Sequence, residues 1–414
     1  MRFAKAITPA LGIFAAISFA GFARPALPAE SSRAACTGLF KGAKPTQAQV
    51  ESVLASHREW LEVRGRGSKG KFFEAKKANL CEANLTGIQL PKVHLREVNL
   101  SRTNLKGANL SGATLVVTNL SDANLEDADL SYSVLLATDL SKANLSRAKL
   151  IHAELLETNL SNAALALADL SGARLERINL KGSILFGANL AQVIFEPIEL
   201  PAPTSMTDAH NLWQMTFSHN PEALIRLRNT FKDLGFRQQE REVTYAIKHS
   251  TIKNATRFGK LSLGAQVDLY FQFVMFELTT EWGMSPGRAL WILFAGIPLF
   301  SIPYMFALLW PGKNGVWRIW TEKRVRQDLG SGAPQQLKLK WWLALPVGVY
   351  FSMLSAFHIG WRDFNVGSWI QRLQASEYTL GATGWVRTVS GVQSLISVYL
   401  LAIWALTYFG RPFE

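Results

Sequence analysis

Few residues in this chain could do chemistry. Cys36 and Cys81 are the only thiols among 414 residues. In an oxidising compartment they can form a disulfide; the alternative is two free thiols. Two cysteines are too few for a multi-cysteine zinc or iron–sulfur site, and the seven histidines stand singly, with no His-Glu-x-x-His pair. Gly65-Arg66-Gly67-Ser68-Lys69-Gly70, followed by Lys71, has the spacing of a phosphate-cradling loop. That chemistry needs a strand before the motif and a helix after it. Here a helical pattern precedes and a repeat follows, so the segment reads as a turn and no nucleotide is expected. Serines recur after leucines, as in Leu110-Ser111, but no histidine or carboxylate stands at triad spacing. His94 and His152 read as surface residues. The expectation is a non-enzyme with no metal and no cofactor.

The elements that would position any site are more legible. The chain is 48% hydrophobic and 18% charged, with 13 Trp, which argues against disorder. From Leu80 to Leu200 every fifth residue is Leu, except Phe195. Two residues before each stands a small or β-branched residue, such as Ala78, Ala83, Val98, Thr103, Ala108 and Ala123, often with Asn or Asp between. A period of five fits neither a helix face nor a flat strand. It fits a solenoid with a square coil, four pentapeptides per turn, Leu and the small residue pointing inward and three positions facing water. Coils stacked at about 4.8 Å make six turns a rod roughly 30 Å long. The asparagines, such as Asn104, Asn109, Asn119 and Asn124, are expected to satisfy turn backbone.

Residues 78–200 resemble the pentapeptide-repeat proteins, whose motif is Ala-Asp/Asn-Leu-x-x. The resemblance implies a right-handed quadrilateral β-helix and says little about function. Gln47 to Leu61, ending His57-Arg58-Glu59-Trp60-Leu61, resembles the helix that often precedes such repeats, with Trp60 capping the first coil. Some soluble members resemble B-DNA in charge and shape. Asp122, Glu126, Asp127 and Asp129 make an acidic cluster, but Lys142, Arg147, Lys149, Arg174 and Arg177 interrupt it, so the cluster reads as a solvated face and no nucleic-acid partner is expected.

The flanks point to a membrane. The formal net charge is +13, yet 78–200 is slightly acidic, so the positive excess lies beside apolar runs. Arg2 and Lys5 precede an apolar stretch from Ile7 to Phe22, so 1–29 reads as a secretory signal or an uncleaved anchor. The expected order is a helical cap over 30–77, the repeat over 78–200, a helical connector with an interfacial helix over 201–288, and a helical transmembrane domain over 289–414. Pro197, Pro201 and Pro203 are expected to end the repeat, and Gly235 to break two connector helices. Three runs, 289–310, 341–361 and 392–409, are long enough to span. Segment 311–340 carries seven basic and two acidic residues, and 362–391 three and two. The positive-inside rule then places 311–340 and the tail 410–414 in the cytoplasm, with 362–391 and the rod outside. This predicts an inner-membrane protein with an extracytoplasmic repeat domain.

The last 70 or so residues carry a second resemblance. Tyr350-Phe351-Ser352-Met353-Leu354-Ser355-Ala356-Phe357-His358-Ile359-Gly360-Trp361-Arg362-Asp363 is similar to the pore helix and filter of two-span potassium channels, and Gly384-Trp385-Val386-Arg387 to the approach to their inner helix. Gly360, Trp361 and Asp363 match the filter pattern; His358 replaces its Thr and Arg362 its second Gly. A ring of Arg side chains opposes a cation, so potassium selectivity is not expected. Two functions follow. One is a membrane-anchored scaffold presenting the rod to a protein or envelope partner. The other is a homotetrameric channel gated by the rod, with His358, Gly360, Trp361, Arg362 and Asp363 as pore residues.

Overall fold

In the computed structural model, residues 36–65, 77–258, 263–310, 315–320, 335–357 and 378–409 are described. The expected signal segment, Arg66 to Lys71, and His358, Gly360, Trp361, Arg362 and Asp363 lie outside them.

The five-residue period makes the chain turn after every Leu. The corner falls two residues later, where the backbone is left-handed all along the rod, from φ +51° at Ala137 to +71° at Gly182. Between corners the Asn or Asp position pairs in parallel with the residue twenty further on: Asn79 with Asn99, then Asn119, Asp139, Asn159, Asn179 and Glu199. One face forms true strands, β1 Thr114–Val116, β2 Val134–Leu136, β3 Glu154–Leu156, β4 Arg174–Glu176 and β5 Ile194–Glu196, stacked in sequence order. Leu115, Leu135, Leu155, Leu175 and Phe195 are in register and buried. The interior is Leu plus the small residue two before it, as expected.

Polar positions follow the same period. Asn99 Oδ1 accepts from the N–H of Ser101 and Asn119 Oδ1 from that of Ser121, so each asparagine closes its own corner. Their amides also reach the neighbouring coil, as Asn99 does to Asn79 at 2.9 Å. Thr118, Thr138 and Thr158 point inward because their hydroxyls reach the carbonyls of Leu95, Leu115 and Leu135. Val117 is the misfit: exposed, β-branched, and at φ +54°. Val117→Asn relieves that strain and keeps the backbone donor, so it should stabilise the rod by about 1 kcal/mol, read as a raised thermal midpoint.

Both rod ends are covered, which an open coil edge requires. At the N-terminal end, α1 (Gln47–Gly65) buries Val50, Leu54, His57 and Trp60 over the first coils. His57 Nδ1 accepts the Ala78 N–H at 3.1 Å while Nε2 lies 2.7 Å from the Arg96 carbonyl, so the Nε2–H tautomer satisfies both groups. At the other end the prolines do not stop the ladder. It continues from Asn189 to His210 and from Ile194 to Thr216, beyond the expected boundary. The Leu period is lost there, which hid the continuation. Glu196 then turns the chain: its Oε1 accepts the N–H groups of Ser218, His219 and Asn220 at 2.7, 2.7 and 3.2 Å. Helix α2 (Glu222–Asp233) buries Leu224, Leu227 and Phe231 against this end, and α3 (Arg237–Phe258) follows after Gly235 at φ +77°.

Helix α4 (Leu263–Gln272) runs through a π-turn, Phe273–Glu277, into α5 (Leu278–Thr280). The apolar helices α6 (Pro286–Leu309), α7 (Trp341–Ala356) and α8 (Trp385–Phe409) pack on one another. A three-stranded sheet of β6 (Val316–Trp320), β7 (Gln335–Gln336) and β8 (Tyr378–Ala382) sits at one end, in the order β7-β6-β8.

Within the expected span 341–361, α7 is 16 residues and ends at Ala356, about 24 Å against a hydrocarbon core of about 30 Å; residues 358–361 lie outside the described residues. Segments 311–340 and 362–391 were expected on opposite faces. Of these segments the described strand β6 pairs antiparallel with β8 through Trp317↔Gly381 and Ile319↔Thr379. Near the end of α8 the Thr407 carbonyl accepts from Arg241 of α3 at 2.9 Å, and the tail 410–414 lies outside the described residues.

Candidate functional site

The rod surface assembles no catalytic group. The acidic cluster is paired by cations from adjacent coils: Arg147 binds Asp127 at 2.7 Å and Glu126 at 2.5 Å, and Lys106 binds Glu126 at 2.9 Å. Hydrogen bonds from Lys106 and Arg147 hold Glu126 below the ordinary carboxylate range, and Arg147 does the same for Asp127. His94 is exposed, and His152 is exposed and stacked on Tyr132 at 5.3 Å. Among the described residues no histidine, cysteine and carboxylate cluster could hold a metal. Cys36 and Cys81 form a disulfide, with Gly38 packed against the Cys81 backbone where a Cβ would meet its carbonyl at 2.5 Å.

The strongest candidate is the joint between the connector and the apolar helices. Three features coincide there. The π-turn ends on Glu277, a rare geometry that often marks functional positions. Glu281 and Trp282 are consecutively left-handed, at φ 50° and 52°, which costs about 1–3 kcal/mol each unless the surroundings enforce it. Trp282 is buried, against Phe276 at 5.0 Å and under the Lys248 ammonium at 5.4 Å. Between these lies a half-buried ionisable group. Glu277 Oε1 accepts from the Tyr245 hydroxyl at 3.0 Å and lies 3.6 Å from His249 Nδ1. Glu281 accepts from Ser285 at 2.6 Å and pairs with Arg288.

Burial works against the Glu277 anion, but the His249 and Tyr245 hydrogen bonds prevail and its pKa is lowered. Burial and the adjacent Glu277 push the Tyr245 phenol up. The joint is therefore a latch holding α3 against the start of α6, with no nucleophile and no open electrophile site. A depressed carboxyl contributes stability above its unfolded value of about 4.3 and loses it as pH falls through the folded value. Glu277→Gln should therefore destabilise the joint at pH 7 and flatten the acid limb of a melting-temperature profile below about pH 4. Glu277 and Glu281 stand in an otherwise aromatic-rich stretch, and that anomaly is the signal the sequence carries for the latch.

A second polar constellation lies between the apolar helices. Gln393 donates to the Ser352 carbonyl at 2.9 Å and to its hydroxyl at 2.8 Å, and accepts from Tyr304 at 2.9 Å. Ser352 donates to the Ile297 carbonyl at 2.7 Å, and Ser390 to Ser355 at 2.8 Å. Every group is paired, so this seam fastens α6, α7 and α8.

Comparison with known proteins agrees on the rod. Segments 76–112, 118–155, 143–182 and 163–196 match the family model for pentapeptide repeats, in eight copies. No curated protein matches the chain. Among solved structures, HetL from the cyanobacterium Nostoc, a pentapeptide repeat protein involved in heterocyst differentiation regulation, is 33% identical over 33% of this chain and 63% of its own, with a TM-score of 0.31. A pentapeptide repeat protein from the cyanobacterium Cyanothece is 27% identical over 28% of this chain and 91% of its own, with a TM-score of 0.20. One from the Arabidopsis thaliana thylakoid lumen is 28% identical over 27% and 65%, with a TM-score of 0.17. The twenty-residue ladder, inward Leu and left-handed corners make the rod a β-solenoid, and within it residues 76–196 match the pentapeptide-repeat family model.

Proposed function

We propose that this protein is a membrane-anchored scaffold whose β-helical rod is held outside the cytoplasmic membrane for contact with a protein or envelope component. The observation that carries it is the outward face of the apolar helices. Trp291, Phe294 and Leu299 of α6 and Leu395, Leu406 and Phe409 of α8 are exposed, and both helices are long and apolar enough to cross a bilayer. A soluble bundle turns such side chains inward. Val267, Tyr270 and Phe271 extend the apolar surface along α4, as an interfacial helix would.

Orientation rests on two independent features. The Cys36–Cys81 disulfide suits an oxidising compartment, which favours the rod on the extracytoplasmic side. Seven basic residues in 311–340 suit the cytoplasmic side. Pentapeptide-repeat proteins are typically structural or interaction proteins, and no catalytic family is indicated.

The test is fractionation of cells expressing the full chain, with alkaline carbonate extraction and protease added from either face. The expected result is retention in the membrane pellet, with rod residues accessible only from the extracytoplasmic face. Release by carbonate would sink the anchoring, and rod cleavage only from the cytoplasmic face would sink the orientation.

A further inference from the structure

The side of the rod that carries β1–β5 is out of keeping with a solvated surface. Its left-handed corners fall at positions 92, 112, 132, 152 and 172 along one edge, and at 97, 117, 137, 157 and 177 along the other. Two of them carry large side chains out into water: Val117 is 56% exposed at φ +54°, and Tyr132 is 66% exposed at φ +58°. Such side chains strain a left-handed backbone, and strain of this kind clusters where a protein makes functional contacts. Between the edges, Val116, Val134, Leu136 and Leu156 flank the buried leucines of β1–β3 and are only half-buried.

A second copy of the same face complements this pattern. Two rods related by a two-fold axis along their length bring each coil against its own counterpart, with opposite edges meeting. Lys92 then faces Glu97 of the copy, Val117 faces Gly112, Tyr132 faces Ala137 and His152 faces Glu157. Each pair occurs twice by symmetry. Charge meets opposite charge, and large meets small. Gly112 has no side chain, only the Lys92 stem leaning across it, 3.2 Å from where a Cβ would stand. Tyr132 is held in place by its stack on His152 at 5.3 Å. Within the strands Thr114 faces Val116, Val134 faces Leu136 and Arg174 faces Glu176. Arg174 and Glu176 already pair within one chain at 2.6 Å, so the copy completes a network of four charges. His94 against Arg96 and Glu154 against Leu156 are the poorer matches.

We infer that the rods of two copies of this chain associate side by side and parallel through the face of β1–β4, with Val117 and Tyr132 as its apolar contacts. Five coils and five residues per side make that face about 24 Å high and about 16 Å wide. This is roughly half of a standard interface, which buries about 800 Å² per partner. Association therefore depends on confinement. Chains anchored in one membrane stand in the same orientation at a high local concentration, which favours contacts too weak for free solution. An antiparallel pair would send the two anchors in opposite directions. The inference rests on the anchoring proposed above for that shared orientation, and it adds the partner.

The test is cross-linking between two differently tagged full-length chains expressed together, the native disulfide left intact and the membranes treated with a mild oxidant. Lys92→Cys in one chain and Glu97→Cys in the other should give a cross-linked pair. Lys92→Cys in both chains, which the symmetry holds at opposite edges, should give none, nor should Lys142→Cys in both, on another side of the rod. Ala137→Tyr added to both chains sets tyrosine against tyrosine and should abolish the cross-link; Tyr132→Ala added to that should restore it. Circular dichroism of each variant checks that the rod is folded. Equal cross-linking of all three cysteine pairs would overturn the inference, as would an undiminished cross-link in the folded Ala137→Tyr chain. Carbonate extraction of the same membranes separates the two readings. No cross-link in retained protein overturns the pairing and leaves the anchor. A cross-link in released protein keeps the pairing and overturns the anchor, and release without a cross-link overturns both.

Discussion

Leu135→Ala should cost the rod about 3–4 kcal/mol, near the upper half of the usual range for a buried leucine. Leu135 is fully buried on β2, in register with Leu115 on one side and Leu155 on the other. The cost of such a deletion depends on how far the surroundings collapse into the space. Here they are held. Backbone hydrogen bonds such as Glu154 N–H to the Ser133 carbonyl at 2.8 Å and Val134 N–H to the Ala113 carbonyl at 2.9 Å fix the coil spacing. The Thr158 hydroxyl, bonded to the Leu135 carbonyl at 3.0 Å, pins the same strand from inside. A solenoid contacts itself only through adjacent coils, so a weakened middle coil divides the rod into two less stable halves. Thermal or urea unfolding monitored by circular dichroism reads this directly. Lys142→Ala, on the exposed face, should stay within about 0.5 kcal/mol. Equal effects of the two substitutions would mean that the inward leucines do not carry the rod.

Legibility in the sequence followed the range of the determining contacts. The rod was readable from Leu80 onward because each pentapeptide repeats one local conformation, so pattern and geometry coincide residue by residue. The Asx-type corners at Asn99 and Asn119 were readable for the same reason. The final rungs at His210 and Thr216 were not, since there backbone pairing continues without the Leu signal. The β6–β8 pairing joins residues about sixty apart, within segments whose composition announces only charge. Hydropathy reads three apolar runs alike, whereas the length of the described helix sets α7 apart from α6 and α8. The latch was half legible. Glu277 and Glu281 are acids in an aromatic-rich stretch, but the left-handed Trp282 that aims them has no sequence signature, because bulky residues disfavour that conformation. His57 was visible only as part of a cap; its two backbone partners, Ala78 and Arg96, come from successive passes of the coil.

Cys36→Ser combined with Cys81→Ser should remove about 4 kcal/mol, the chain-entropy value for a closed loop of this size; the cysteines are separated by 45 residues. The location of the loss matters as much as its size. The bond ties down residues that pair with the first coil: Leu39 N–H reaches the Asn79 carbonyl at 3.2 Å, Gly42 N–H that of Glu82 at 2.9 Å, and Asn84 N–H that of Ala43 at 2.9 Å. The loop it closes also contains α1, whose Val50, Leu54 and Trp60 cover the core behind that coil. Without the covalent tie the cover has only these contacts, and its departure leaves a strand edge open to other chains. Hydrogen exchange should therefore accelerate first at residues 79–85, while amides of β2 at Val134–Leu136 keep their protection. Loss spread evenly along the rod would instead place the effect in the unfolded chain. Unchanged melting and unchanged exchange would show that α1 and the 39–43 pairing hold the cap alone. On the orientation proposed above, a reductant added from the extracytoplasmic face should reproduce the serine phenotype in intact membranes. The same reductant confined to the other face should leave the rod as it was.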